Sequence, residues 1–69
     1  MNNFSTENLE KLKQDYEFVA KSLGFMKENY NFYARVNGLD VINNTMSKME
    51  AEKFELAIKI DFLTNFLLS

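Results

Sequence analysis

The side chains that could do chemistry in this sequence are carboxylates and amines, because the chain contains no His and no Cys. Ten Asp and Glu residues are interspersed with eight Lys and Arg residues, a pattern typical of solvated helix surfaces. Catalysis needs an activated nucleophile, an acid–base pair, a metal or a cofactor site. No Gly-rich phosphate loop and no calcium-loop spacing occurs in the sequence. We therefore expect a protein that is not an enzyme, with no catalytic, cofactor-binding or metal-binding residues.

The apolar residues have the spacing of two long helices. In the first half they step by three and four over about four heptads, which indicates one helix with a single apolar seam. The first seam consists of Leu9, Leu12, Tyr16, Val19, Leu23, Met26, Tyr30 and Tyr33. The same stepping recurs in the second half, with Lys53 as its one polar member. The second seam consists of Ile42, Met46, Met49, Lys53, Leu56, Ile60, Leu63 and Leu67.

Local signals set the expected ends of these helices. The first helix is expected over about residues 6–36, with Gly38 just beyond it in a left-handed conformation. The second helix is expected over about residues 41–68, with Asp40 as its N-cap. A later start near Ser47 is the alternative, because Ser47 is followed three residues later by Glu and so matches a capping box.

Ser5 and Gly24 bear on where the first helix begins and on whether it is continuous. Ser5 is a plausible N-cap before the first seam residue. Gly24 could end one helix and begin another, since Gly inside a helix costs up to about 1 kcal/mol relative to Ala. The heptad passes through Gly24 in phase, so a continuous helix is favoured, and a three-helix chain is the alternative if the helix breaks there.

A short turn between two helices of similar length predicts an antiparallel helical hairpin, so residues 1–69 form one all-α domain. Folds of this size usually need a disulfide, a metal or a partner chain for stability. Because the chain has no Cys for a disulfide and no Cys or His to bind a metal, association with another chain is the remaining way to stabilise the fold. We expect two hairpins to form a four-helix bundle dimer, and a hairpin completed by a different protein or a monomer are the alternatives.

The sequence carries more apolar surface than one hairpin needs. Phe residues recur every seven positions off the first seam, and large apolar residues recur every four positions beside the second. A helix that is apolar on more than one face is normally buried by more than one neighbour. Near the turn, Tyr and Arg add residue types that are enriched at interface hot spots. The candidate partner-binding or oligomer interface is Phe18, Phe25, Phe32, Tyr33, Arg35, Phe54, Ile58, Phe62 and Phe66.

Charge and hydropathy limit the partners. A net charge of −2 does not supply the attraction that phosphate binding needs, so nucleic acid is an unlikely partner. The apolar stretch 54–68 is interrupted by polar residues and is shorter than a membrane span, so no transmembrane helix is expected. The first residues are neither basic nor apolar, so we expect no export signal and a cytoplasmic location.

These observations favour a small non-catalytic regulator, inhibitor or adaptor that binds a protein through helix–helix contacts. That protein is either a second copy of the chain or a different protein. One alternative is a co-chaperone whose hairpin covers an aggregation-prone partner, similar in size and shape to the small helical-hairpin co-chaperones of bacterial type III secretion, a likeness that no motif carries. The other alternative is a nucleic-acid-binding regulator that stacks bases on Tyr30, Tyr33 and Arg35.

Overall fold

The computed structural model describes the backbone of residues 3–69 and the side chains of residues 6–69. Within those residues there are three helices and no strand: α1 (Asn3–Glu28), α2 (Tyr30–Asn37) and α3 (Leu39–Leu68). α1 and α2 form one arm of a hairpin, and α3 forms the other arm. α3 packs against both α1 and α2, and the hairpin is a rod of 50 × 15 × 14 Å. The predicted all-α antiparallel hairpin is confirmed.

The first arm continues through Gly24 and is interrupted at Asn29 instead. Asn29 has φ −113° and ψ 29°, and its side-chain amide donates a 2.9 Å hydrogen bond to the Phe25 carbonyl. An Asn side chain that bonds to the backbone in this way competes with helical geometry, which explains the position of the break. The ladder nonetheless bridges it, because the backbone N–H groups of Asn29 and Tyr33 donate to the carbonyls of Phe25 and Asn29, both at 3.1 Å.

The turn between the arms is the single residue Gly38, and not the stretch 37–40 that the expected helix ends leave between them. Gly38 has φ 95° and ψ 146°. The positive φ was predicted, but the ψ value lies far from the left-handed helical conformation, in a region that only Gly adopts readily. The Gly38 N–H donates to the Ala34 carbonyl at 2.7 Å, and the Ile42 N–H donates to the Gly38 carbonyl at 3.1 Å. Gly38 therefore ends one helix and begins the next.

Both helices begin two or three residues before their approximate predicted starts. α3 begins at Leu39, so Asp40 lies in its first turn and not at its N-cap, and Ser47 lies inside the helix. A carboxylate in the first turn still interacts favourably with the helix dipole. α1 begins at Asn3, two residues before the expected N-cap Ser5, whose side chain lies outside the described residues.

The two predicted seams form the contact between the arms. Three side chains are buried within the described residues: Val19 and Leu23 on α1 and Ile42 on α3. All thirteen other seam positions are partly buried. The buried side chains lie in the middle of the rod and toward the turn, so the far half of the hairpin, where α1 begins and α3 ends, holds none. We call that half the open end.

Contacts across the seam fix its register. The Tyr30 hydroxyl donates a 2.8 Å hydrogen bond to the Asn43 side-chain oxygen near the turn. At the open end Leu12 and Leu63 line the same groove. Tyr30 therefore meets α3 at Asn43 near the turn, and Leu12 lies close to Leu63 at the open end.

Replacing Gly24 with Ala should stabilise the protein. A Cβ atom at Gly24 would have no neighbour within 4 Å, so Ala gains helix propensity without a clash. We expect the free energy of unfolding to rise by about 0.5–1 kcal/mol, and the melting temperature by about 2–6 °C. Gly38→Ala is the matched control and should lower the melting temperature, because φ is 95° there. A lower melting temperature for Gly24→Ala would contradict this assignment.

Candidate functional site

The Phe side chains lie outside the seam. All six that the structure describes are between 58% and 73% exposed, and Ile58 is 53% exposed. These six are Phe18, Phe25, Phe32, Phe54, Phe62 and Phe66. Single exposed apolar residues are ordinary on protein surfaces, but a contiguous group of large ones marks an interaction site.

At the open end, residues of both arms form an apolar groove of about 580 Å³, which we call the open-end groove. Leu12 and Leu63 lie along the seam, and Ile58 and Phe62 form the wall on α3. Polar and charged side chains complete the lining. The whole lining is Asn8, Lys11, Leu12, Asp15, Ile58, Lys59, Phe62 and Leu63.

The open-end groove continues toward the middle of the rod. A second hollow of about 310 Å³ shares Asp15 and Lys59 with it. Phe18 lines this second hollow beside the buried Val19, and the acidic residues Glu52 and Glu55 of α3 lie there as well. Phe18, Ile58 and Phe62 therefore belong to one face of the hairpin, although the sequence placed them on two separate lines.

Nearer the turn, three aromatic rings form a cluster around the break at Asn29, which we call the aromatic cluster. The ring centroids of Phe25 and Tyr33 lie 6.2 Å apart, and those of Phe32 and Tyr33 lie 5.7 Å apart, both in edge-to-face orientation. Such pairs contribute about 0.5–1.5 kcal/mol beyond their burial. Tyr33 is partly buried and holds two rings that remain exposed, so this cluster is a preformed apolar surface.

The other predicted interface residues are less closely grouped. Phe54 lies beside Ile58 in a shallow hollow formed by α3 alone. Phe66 is exposed near the end of α3. Arg35 is exposed and lines a polar hollow at the break with Lys27 and Phe32. These residues extend the exposed surface without adding a contact between the arms.

An ion pair that sequence reasoning missed joins the arms beside the aromatic cluster. The Lys27 amine lies 2.9 Å from one Glu50 carboxylate oxygen, and the Lys53 amine lies 3.9 Å from the other. This contact explains Lys53, the polar member of the second seam, whose amine reaches out to Glu50. Spacing within one helix could not reveal the Lys27–Glu50 pair, because it depends on the register of the hairpin.

The hydrogen bond from Lys27 lowers the pKa of the Glu50 carboxyl below its ordinary value. Partial desolvation opposes this effect, and the positive charges of Lys27 and Lys53 add to it. No group of three or more Asp and Glu side chains positioned to hold a metal ion occurs among the described residues. Nor does any helix in that part of the chain combine the length and apolar character needed to cross a membrane.

Comparison of the chain with protein-family models, with curated proteins and with solved structures finds no match. The exposed apolar surface and its charged borders are therefore the observations from which a function can be argued.

Lys27→Gln should raise the pKa of the Glu50 carboxyl toward its ordinary value, because the amine supplies the strongest interaction with that group. An NMR pH titration of the side-chain carboxyl carbon measures it, and Lys48→Gln, an exposed change elsewhere on α3, serves as the control. A carboxylate with a lowered pKa in the folded state stabilises the fold above its unfolded pKa. That contribution should disappear as the pH falls through the lowered pKa. An identical Glu50 pKa in Lys27→Gln and the native chain would contradict the ion pair.

Proposed function

We propose that this chain is a small non-catalytic protein that binds another protein chain through its exposed Phe side chains, and so acts as a regulator, inhibitor or adaptor. The observation that carries the proposal is the division of its apolar residues. Every seam residue is buried or partly buried in the hairpin, whereas every described Phe is more than half exposed. The hairpin closes without these rings, so they are available to a partner.

The energetics support a protein partner. Burial of one Phe side chain contributes about 1.5–3 kcal/mol, so three rings covered together could supply much of a micromolar affinity of about 8 kcal/mol. The aromatic cluster has the properties of an interface hot spot. Its rings are fixed by edge contacts before binding, which reduces the entropy lost on association. Exposed Lys27 and Arg35 beside Phe32 provide a polar rim.

The same features favour protein over nucleic acid as the partner. Binding to phosphates depends on clustered positive charge, and the net charge of the chain is −2. The two Tyr residues that could stack on bases already have partners, since Tyr30 donates to Asn43 and Tyr33 packs against Phe25.

Phe25→Asp should abolish binding to a heterologous partner, because a carboxylate at the aromatic cluster would have to be desolvated in the complex. Affinity capture from the native host with the tagged full chain measures this effect. We expect the proteins retained by the wild-type chain to fall at least tenfold with Phe25→Asp. Asn65→Asp adds the same charge at an exposed position near the end of α3, far from the cluster, and should leave capture unchanged.

Circular dichroism should show equal helix content in both variants, which separates loss of binding from loss of folding. Equal recovery of the same proteins by wild type and Phe25→Asp would contradict the assignment of the aromatic cluster as a binding surface.

A further inference from the structure

We propose that the open-end groove binds a second copy of this chain, in an antiparallel arrangement that makes a four-helix bundle of two hairpins. The inference rests on the proposed function, because it names the partner for one part of the exposed Phe surface. The aromatic cluster lies nearer the turn and stays available to a different protein.

Buried side chains are unevenly distributed along the hairpin. No described residue between positions 6 and 18, and none between 57 and 68, is buried. The open end is therefore held by seam residues such as Leu12 and Leu63 that still contact water. Both of these residues line the open-end groove. A second apolar surface laid on this groove would complete the core at the end of the hairpin where it is missing.

The solvent-accessible surface of the hairpin is larger than is usual for a chain of this mass. The chain exposes 5357 Å², whereas a folded monomer of 8.1 kDa usually exposes about 4,500 Å². The excess of about 900 Å² matches the surface of about 800 Å² that each partner buries in a standard interface. One additional chain of similar size is thus enough to bring the exposed surface of this hairpin into the ordinary range.

The charged residues along this face favour a second copy of the chain as the partner, and they favour an antiparallel orientation of that copy. Asp15 also lines this face, and its carboxylate is paired with the Lys11 amine at 3.7 Å. That pairing leaves the charge of Lys59 toward the open end and those of Glu52 and Glu55 toward the middle. A parallel copy would bring its Lys59 against the Lys59 of the first. An antiparallel copy brings the positive part of each face against the negative part of the other, so one surface is complementary to itself.

The position of the symmetry axis follows from these charges. A two-fold axis that crosses the rod near Ile58 lays one α3 over the other and places Lys59 of each copy beside Glu55 of the other. Within the part of the chain that the structure describes, the ion pairs are Lys11–Asp15 and those of Glu50. Lys59 and Glu55 are not among them, so both are available. Phe54, Ile58 and Phe62 form a ridge at every fourth position, which packs into the groove beside the matching ridge of a second helix.

Two opposite charge reversals test this axis. Sedimentation equilibrium of the wild-type chain should give a mass of twice 8.1 kDa at high concentration. In Lys59→Glu or Glu55→Lys alone, like charges meet twice across the axis, and the dissociation constant should rise about tenfold or more. Mixing the two variants pairs opposite charges in a mixed dimer, whose dissociation constant should return to within about threefold of the wild-type value.

Repulsion between positions 55 and 59 within each chain is unchanged by mixing, so recovery of affinity reports contact between chains. Native mass spectrometry with one variant isotope-labelled identifies the mixed dimer. A wild-type chain that stays monomeric at every concentration would overturn the inference, and so would a mixture that dimerises no better than its components. Loss of capture by Phe25→Asp would still support the proposed function in either case.

A single Cys gives an independent readout, because the native chain has none. Ile58→Cys lies at the axis and should form a disulfide-linked dimer rapidly under mild oxidation. Ser47→Cys lies at an exposed position of α3 nearer the turn and should crosslink at least tenfold more slowly. Equal rates for the two variants would contradict the position of the axis.

Discussion

The contact between α1 and α3 along their three-and-four-spaced seams is the interaction on which the rest of this structure depends. No side-chain hydrogen bond caps the N-terminus of α3, and most helical stability in proteins comes from packing of an apolar face. Packing of the two seams against each other supplies the helix stability that local propensity and caps do not. It also fixes the register, and the register in turn brings Lys27 to Glu50 and Tyr30 to Asn43. The residues that pack in the seam determine which side chains remain on the surface.

Because the seam uses one stripe of each arm, the Phe residues are left on the outside. They separate into two surfaces with different neighbours. Phe18 and Phe62 lie on a face that carries charges of both signs in an order complementary to itself. Phe25 and Phe32 lie at the break in the first arm and pack against Tyr33. Lys27, Glu28 and Arg35 line the hollow beside Phe32. One chain could thus hold a copy of itself at one end and a different protein near the turn.

Periodicity was sufficient to predict the hairpin, its seams and the exposure of the Phe residues, since burial on a helix follows directly from spacing. The helix ends were harder to predict, because Gly38 adopts a conformation that makes a one-residue turn and moves the start of α3 before Asp40. The break at Asn29 arises from a side-chain hydrogen bond that competes weakly with the ladder. That Phe18 and Phe62 lie on one face could not be predicted, because it depends on the register between the two helices. The pattern within a single helix does not contain that register.

The central claim is that the Phe rings lie outside the hairpin core and are covered by another chain. Fluorine NMR of the chain labelled with fluorinated Phe measures the contact of each ring with water through its solvent isotope shift. In dilute solution we expect Phe18, Phe25 and Phe62 each to show the water contact of a side chain that is more than half exposed. On concentration, Phe18 and Phe62 should lose that contact while Phe25 keeps it. A Phe18 or Phe62 ring already shielded in the dilute monomer, or one whose contact with water is the same at high concentration as in dilute solution, would contradict this claim.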